Sequence, residues 1–409
     1  MPRSAGFPHA TSVAIIGGGI MGLSAAWHLA RRGQRDVAVF DAATVGSGAS
    51  GRTGALLRQH YSNRHEAALA HWSLGFYRRW PELIDSQPVH TAKPLVVTVP
   101  TGSGFETNID RLRANVTMQQ EIGIQTRIIT GDELRALQPH ARTDDLRCAA
   151  LEAVSGYVDA PSATRAIAIA ARRLGVRIFE NTPVTAVVAS DSAVQGVRAG
   201  GHMVRAEHVI CAAGAMSPAL VRPAGVVLPV TALRVQVAVL QRPLRFEPAH
   251  FAYVDTAAGF FARPYGPGRS LVGVGGGAQH DPVDPVDYRQ FADDDYAITA
   301  QRVMVRRFPA MAGATPVVSW AGIYDVTPDA HPIIGTAGPV GLIVMAGFSG
   351  AGFKKAPALG HAVAGLVLEE SSQPFDLSPF RYDRFSTEDW KIPWSPTEYE
   401  LATDFGHGL

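Results

Sequence analysis

Gly17, Gly19 and Gly22 form the pattern G-x-G-x-x-G between a β-branched apolar run at 13–16 and an alanine-rich stretch at 20–30 that reads as a helix. In that setting the backbone turns sharply, a pyrophosphate can approach its amides, and the following helix directs the positive end of its dipole at the phosphates. Asp41 ends the next strand-like run, 36–40. A carboxylate there accepts hydrogen bonds from the ribose 2′- and 3′-hydroxyls and would repel a 2′-phosphate. The spacing therefore predicts a site for FAD or NAD rather than NADP. A glycine fingerprint alone fits a plain turn equally well; the preceding strand, the following helix and the acid about twenty residues on give it meaning.

Residues 46–54 are too rich in Gly and Ser for a regular element and must form a loop after the second strand, where an α/β sheet places its ligand. Arg58 follows in a mostly apolar segment and reads either as a surface ion-pair partner or as a cation kept for an anion. Residues 208–215 carry Ala212, Ala213 and Gly214, small enough for close backbone approach at another strand end. Residues 341–347 read as a strand, 348–352 as a turn and 353–369 as a helix, whose N-terminus faces something anionic or electron-rich.

These groups must be positioned by more than one core, since 409 residues exceed what a single core usually holds. A packing helix is expected over 64–80, strands at 95–99 and 176–179, helices over 109–122 and 163–174, and a small meander at 184–188, 194–198 and 202–206. Strands at 234–240, 250–255, 259–264 and 270–275, joined by short turns, imply an antiparallel sheet, closed by a helix over 288–308. Period-two alternation puts Phe261 and Arg263 on one face of it, where Arg263 is either a third cation in a pocket or an ordinary exposed arginine. The fold class is thus α/β, a Rossmann-like dinucleotide-binding domain with an inserted antiparallel sheet. Residues 1–85, 150–228 and 317–385 form the first domain, 86–149 and 229–316 the second, and 386–409 a tail.

Lys and Arg number 37 against 36 Asp and Glu, without runs of like charge, which points to no nucleic-acid or membrane-surface partner. No apolar run is long enough to span a bilayer, and residues 1–11 lack the apolar core of a signal peptide, so a soluble, cytoplasmic protein is expected. Cys148 and Cys211 have no metal-ligand spacing, and no metal is expected. His60, His280 and His331 read as structural.

Taken in order, the opening fingerprint, the loop ending in Arg58, the Ala-Ala-Gly strand, the stretch from Tyr324-Asp325-Val326-Thr327-Pro328-Asp329 to Gly335, and Gly347-Phe348-Ser349-Gly350-Ala351-Gly352-Phe353-Lys354 resemble the D-amino-acid oxidase superfamily of FAD-dependent oxidoreductases. The chain is most similar to its sarcosine oxidase and dimethylglycine dehydrogenase branch, over about residues 13–385. The resemblance implies an FAD domain of the glutathione-reductase type. The pyrophosphate would lie on Gly17, Gly19, Ile20, Met21 and Gly22 and the ribose on Asp41, with Ser50, Val184, Ala213 and Gly214 also at the cofactor. The ring would lie near Arg52, Thr53 and the turn Gly350, Gly352, Phe353 and Lys354. The helix dipole there would stabilise negative charge on the reduced ring.

By the same resemblance Arg58 and Lys354 match the arginine and lysine that hold the substrate carboxylate in sarcosine oxidases; Lys355 beside them reads as solvated, and Arg263 is a third cation if its face of the sheet is the pocket face. The implied reaction is oxidation of the C–N bond of an amino acid, secondary or N-alkylated, to an imine that hydrolyses. A primary amino acid, a 2-hydroxy acid, or a role as the flavin subunit of a multi-subunit amine dehydrogenase are the alternatives. Dioxygen or a redox partner would accept the electrons, and Trp390-Lys391-Ile392-Pro393-Trp394 would be either a docking element or a structural tail. Two departures stand out. Gly322-Ile323-Tyr324 stands where monomeric sarcosine oxidases have, just before the Tyr, the cysteine that carries FAD covalently, so FAD is expected to be non-covalent. The lysine with which those oxidases activate dioxygen falls in 270–275, where Val272 is the expected match.

Overall fold

A computed structural model describes residues 7–99, 101–102, 106–275 and 282–387. In chain order, β1 (Ala10–Ile16), α1 (Ile20–Arg31) and β2 (Val37–Phe40) precede α2 (Ala49–Arg52), α3 (Arg64–Arg78) and α4 (Trp80–Ile84). Then come β3 (His90–Ala92), β4 (Leu95–Thr98), α5 (Asn108–Ile122), β5 (Thr126–Thr130), α6 (Gly131–Leu137), β6 (Cys148–Glu152), β7 (Gly156–Val158) and α7 (Ala160–Arg173). The chain continues with β8 (Arg177–Phe179), β9 (Val184–Ala189), β10 (Val194–Ala199), β11 (His202–Cys211) and α8 (Ser217–Val221). The remainder is β12 (Thr231–Gln241), β13 (Ala252–Asp255), β14 (Phe260–Pro264), β15 (Arg269–Val274), α9 (Tyr296–Arg307), β16 (Thr315–Val326), β17 (Ile333–Thr336), β18 (Leu342–Ala346) and α10 (Ala356–Val367).

The first sheet runs β17-β18-β11-β1-β2-β8, with β10 and β9 added beyond β11. β18, β11, β1, β2 and β8 pair in parallel, and β2, β18 and the carboxyl-terminal parts of β1 and β11 are buried, as the centre of a sheet covered on both faces requires. β1 lies between β2 on one side and β11 on the other, so the crevice beyond its carboxyl end is a switch point of the sheet. Gly17 opens into that crevice. Helices α1, α3, α7 and α10 pack on one face in the largest apolar cluster. α1 and α10 cross so closely that a methyl group at Gly360 would collide with Ser24.

The second sheet runs β16-β12-β15-β14-β13-β4-β6-β5. It departs from the expected antiparallel pattern at one place: β13 and β4 are parallel, because β4 enters from a distant part of the chain rather than through a hairpin. β16 pairs with β12 from Thr315 to Val326, and β6 pairs with β4 and β5. The sheet therefore takes in 150–152 and 317–326, which the boundaries above assign to the first domain. The expected helix over 288–308 begins only at Tyr296; Phe291 instead bridges to Trp320. The strands expected at 202–206 and 208–215 are one, β11, which leaves β10 and enters the parallel sheet without interruption. His280 and the aromatic tail 390–394 lie outside the described residues. Among those described, no helix is long and apolar enough to cross a membrane, and no group of acidic, His and Cys side chains is placed to hold a metal.

Candidate active site

At the end of β1, Gly17 has φ +108°, and a methyl group on it would collide with the carbonyl of Ala212 at the end of β11. A methyl group on Gly22 would meet the carbonyl of Gly17. The helix α1 therefore starts tight against the turn. Its first turn carries no acid, and Gly19 caps it without a side-chain hydrogen bond, so nothing at the cap competes with an anionic ligand for the amides of Met21 and Gly22. Gly18 donates to Asp41 Oδ2 at 2.6 Å, Ile20 donates to Ser50 Oγ at 3.0 Å, and Gly46 donates to the Gly18 carbonyl at 3.1 Å. Asp41 and Ser50 thus stand beside the glycine turn. Ala213 and Gly214 follow β11 next to Gly17, and Val184 packs on the cluster that includes Phe40. Gly352 packs against Met21, which brings the turn after β18 to the start of α1. This donor set fits a dinucleotide.

Asp325 organises the other end. Its carboxylate, pushed up to about 6 by burial, accepts the Gly347 amide at 2.8 Å, while its carbonyl accepts Ser349 N–H at 2.8 Å. Gly347, Ser349 and Gly350 all have positive φ, and Gly350 lies so close to the Tyr324 ring that a methyl group would not fit. This turn delivers Lys354. Across from it Arg58, 5% exposed, lies over the Tyr61 ring at 4.4 Å. Its loop is held from behind by Glu152, a fully buried carboxylate that accepts the amides of Gln59 at 3.0 Å and His60 at 2.6 Å. Burial and the neighbouring Arg58 drive His60 down to about 3, so it is neutral, which agrees with a structural role.

Lys355 corrects the expectation of a solvated side chain: it is fully buried, ion-paired to Glu66 Oε1 and 4.9 Å from the centre of the Tyr61 ring. Glu66 Oε2 lies 2.9 Å from His331 Nδ1 and accepts Asn63 Nδ2 at 3.0 Å. Burial raises this carboxyl, but Lys355 and His331 beside it outweigh that and hold it well below its usual range. Neither Glu66 nor Glu152 was singled out from the sequence. A signal existed: Glu66 shares a helical stripe with Ala70, Ser73 and Tyr77, all buried. The helix after Lys355 is apolar except for His361 and is mostly buried, which signals burial for the lysine at its start.

On the second sheet Phe261 and Arg263 do share a face, the one toward Gly54. Arg263 is buried rather than exposed; its Nε donates to the Gly54 carbonyl at 2.5 Å, its Nη1 to Pro264, and it lies over Tyr157 and Tyr265. Val272 points the other way, into the apolar cluster with Ala238, Ala262 and Met304. The residues of β15 that face Gly54 and Phe261 are Leu271 and Gly273, so Val272 lies on the opposite face of the sheet, and β15 carries no lysine. Arg52 donates to Tyr288 Oη and Gln290 Oε1, both at 2.6 Å, and its carbonyl accepts Trp320 Nε1. Thr53 Oγ1 caps the amide of Ala55.

Residues 12–366 match the family described as DAO, FAD dependent oxidoreductase. The chain is 26% identical to sarcosine oxidase subunit beta of Arthrobacter sp, over 92% of this chain and 91% of that one. It is 28% identical to glycine oxidase of Geobacillus kaustophilus (strain HTA426), over 92% and 97%. The solved structure of glycine oxidase from Geobacillus kaustophilus superimposes with a TM-score of 0.80 at 26% identity, over 92% of this chain and 99% of that one. L-proline dehydrogenase from P. horikoshii shares the fold, with a TM-score of 0.84 at 23% identity, over 93% and 99%.

Proposed function

Because the chain belongs to the DAO family of FAD-dependent oxidoreductases, we propose that it oxidises the C–N bond of an amino acid, secondary or N-alkylated, whose carboxylate is held between Arg58 and Lys354. The observation that carries this reading is two buried basic side chains close enough to act on one another, with the adjacent buried carboxylates Glu66 and Glu152 already engaged elsewhere. Two basic groups placed together in this way suit a carboxylate. FAD, when bound, supplies the hydride acceptor. Arg58 and Lys354 orient the C–H beside the substrate nitrogen, while the Tyr61 and Tyr324 rings keep water from the clamp. We assign Arg263 to holding the backbone of Gly54, and through it the loop bearing Arg58, rather than to a second substrate carboxylate. The relatives named above, one a subunit and one an oxidase, leave both a partner subunit and dioxygen as electron acceptors.

The test is anaerobic. N-methylglycine is expected to bleach the flavin faster than glycine or 2-hydroxy acids; no bleaching by any amino acid would overturn the assignment. Without a lysine on the Gly54-facing side of β15, re-oxidation by air is expected to be slower than by a dye acceptor such as phenazine methosulfate. The cofactor end has its own check. Gly22→Ala is expected to leave protein purified with little FAD, read from the ratio of flavin to protein absorbance, since the added methyl pushes α1 off the turn.

A further inference from the structure

Lys354 is 9% exposed, and among the described residues its amine makes no hydrogen bond and no ion pair. Four charged groups act on it: Arg58 and Lys355 with its own sign, Glu66 and Glu152 with the opposite. Both carboxylates are committed. Glu66 is filled by Lys355, His331 and Asn63, and Glu152 by the amides of Gln59 and His60. Lys355 and Glu66 cancel one another. A protonated Lys354 would therefore be a desolvated cation beside Arg58 without a counter-ion of its own. Such a group sheds its proton instead. In agreement, burial, then Arg58 and Lys355, push this amine well below the ordinary lysine range, against the weaker pull of the two carboxylates.

Resting on the carboxylate clamp described above, the geometry points to Lys354 as the proton acceptor of the site: neutral while the site is empty, it takes the ammonium proton of an amino-acid substrate as the substrate carboxylate docks. The balance is simple. One N–H bond of the substrate ammonium breaks, its electron pair stays on the substrate nitrogen, and one N–H bond forms on Lys354 Nζ. The docked carboxylate is then the missing counter-ion of the new ammonium, so binding and proton transfer reinforce one another. The substrate is left with the neutral amine that hydride loss from the adjacent carbon requires. No other side chain is needed as a base.

A carboxylate without an ammonium group must draw that proton from solvent. Titration calorimetry of the FAD-loaded protein with acetate at neutral pH, in buffers of different ionisation enthalpy, is expected to show uptake of about one proton per acetate bound. Acetate affinity should fall as pH rises, by about tenfold per unit, between the pKa of Lys354 in the empty site and its raised pKa in the complex. Binding without proton uptake would overturn this role while leaving the clamp intact. No acetate binding would overturn the clamp, and this role with it. Lys354→Arg, which keeps a permanent charge, is expected to bind acetate without uptake. Its anaerobic flavin reduction at low substrate should rise about tenfold per pH unit toward the substrate amine's own pKa, more steeply than wild type. An unchanged pH profile in that variant would place the acceptor elsewhere.

Discussion

Arg58→Met is expected to weaken carboxylate binding roughly 100- to 1,000-fold, on the order of 3–4 kcal/mol, the range for truncating one side of a buried, hydrogen-bonded charge pair. Arg58 is the guanidinium of the clamp, whereas Lys354 gains its charge only with the ligand. The Arg58 side chain is set by the Tyr61 ring on one side and by Glu152 gripping the next two amides on the other, so little ordering remains for substrate to impose. Arg58→Lys should recover little, because an ammonium cannot offer the planar fork to a carboxylate. The measurement is the acetate dissociation constant of FAD-loaded protein, together with kcat and KM for any amino acid that bleaches the flavin. Flavin content serves as the control, since Arg58 lies apart from the glycine turn. An acetate affinity within threefold of wild type at normal flavin content would remove Arg58 from the site.

The cofactor half of the molecule is written locally, which is why it reads well from sequence. Gly17 must have positive φ and no side chain, and both demands arise within one turn; Asp41 and the start of α1 follow within a single βαβ unit. The clamp is a different case. Arg58, Glu66, Glu152, His331 and Lys355 come from five separate segments, and no spacing within one segment records that Glu66 meets Lys355. Lys355 looks solvated only when it is read beside Lys354 as a pair of charges. The apolar helix that follows it gives the opposite reading, and packing decides in its favour. Val272 illustrates a subtler limit. Alternation tells which residues share a face but not which face is the pocket, so one step in register exchanges Val272 for Gly273. The second sheet was legible as hairpins, while β4, β5 and β6 join it from over a hundred residues away and left only short, proline-interrupted strands as a trace.

The buried triad beneath the clamp carries the second large effect. Glu66→Gln keeps the shape of the side chain but leaves Lys355, with no exposure to water, facing an amide in place of a carboxylate. Breaking a buried pair in this way costs about 3–5 kcal/mol, because the remaining charge is uncompensated. The urea midpoint of the variant should fall accordingly, and with it the retention of flavin, since Lys355 sits in the turn that packs on Met21. Removing both charges in Glu66→Gln, Lys355→Met should restore a large part of the loss, because an apolar side chain suits the site once the lone cation is gone. The pH dependence has a definite sign. Glu66 is held well below its usual range in the folded protein, so its contribution is present above the unfolded carboxyl value of about 4.3 and is lost as pH falls through the folded one. Wild type and Glu66→Gln should therefore differ fully near neutrality and converge in acid. A variant that unfolds with wild type at neutral pH would show that Lys355 finds another partner.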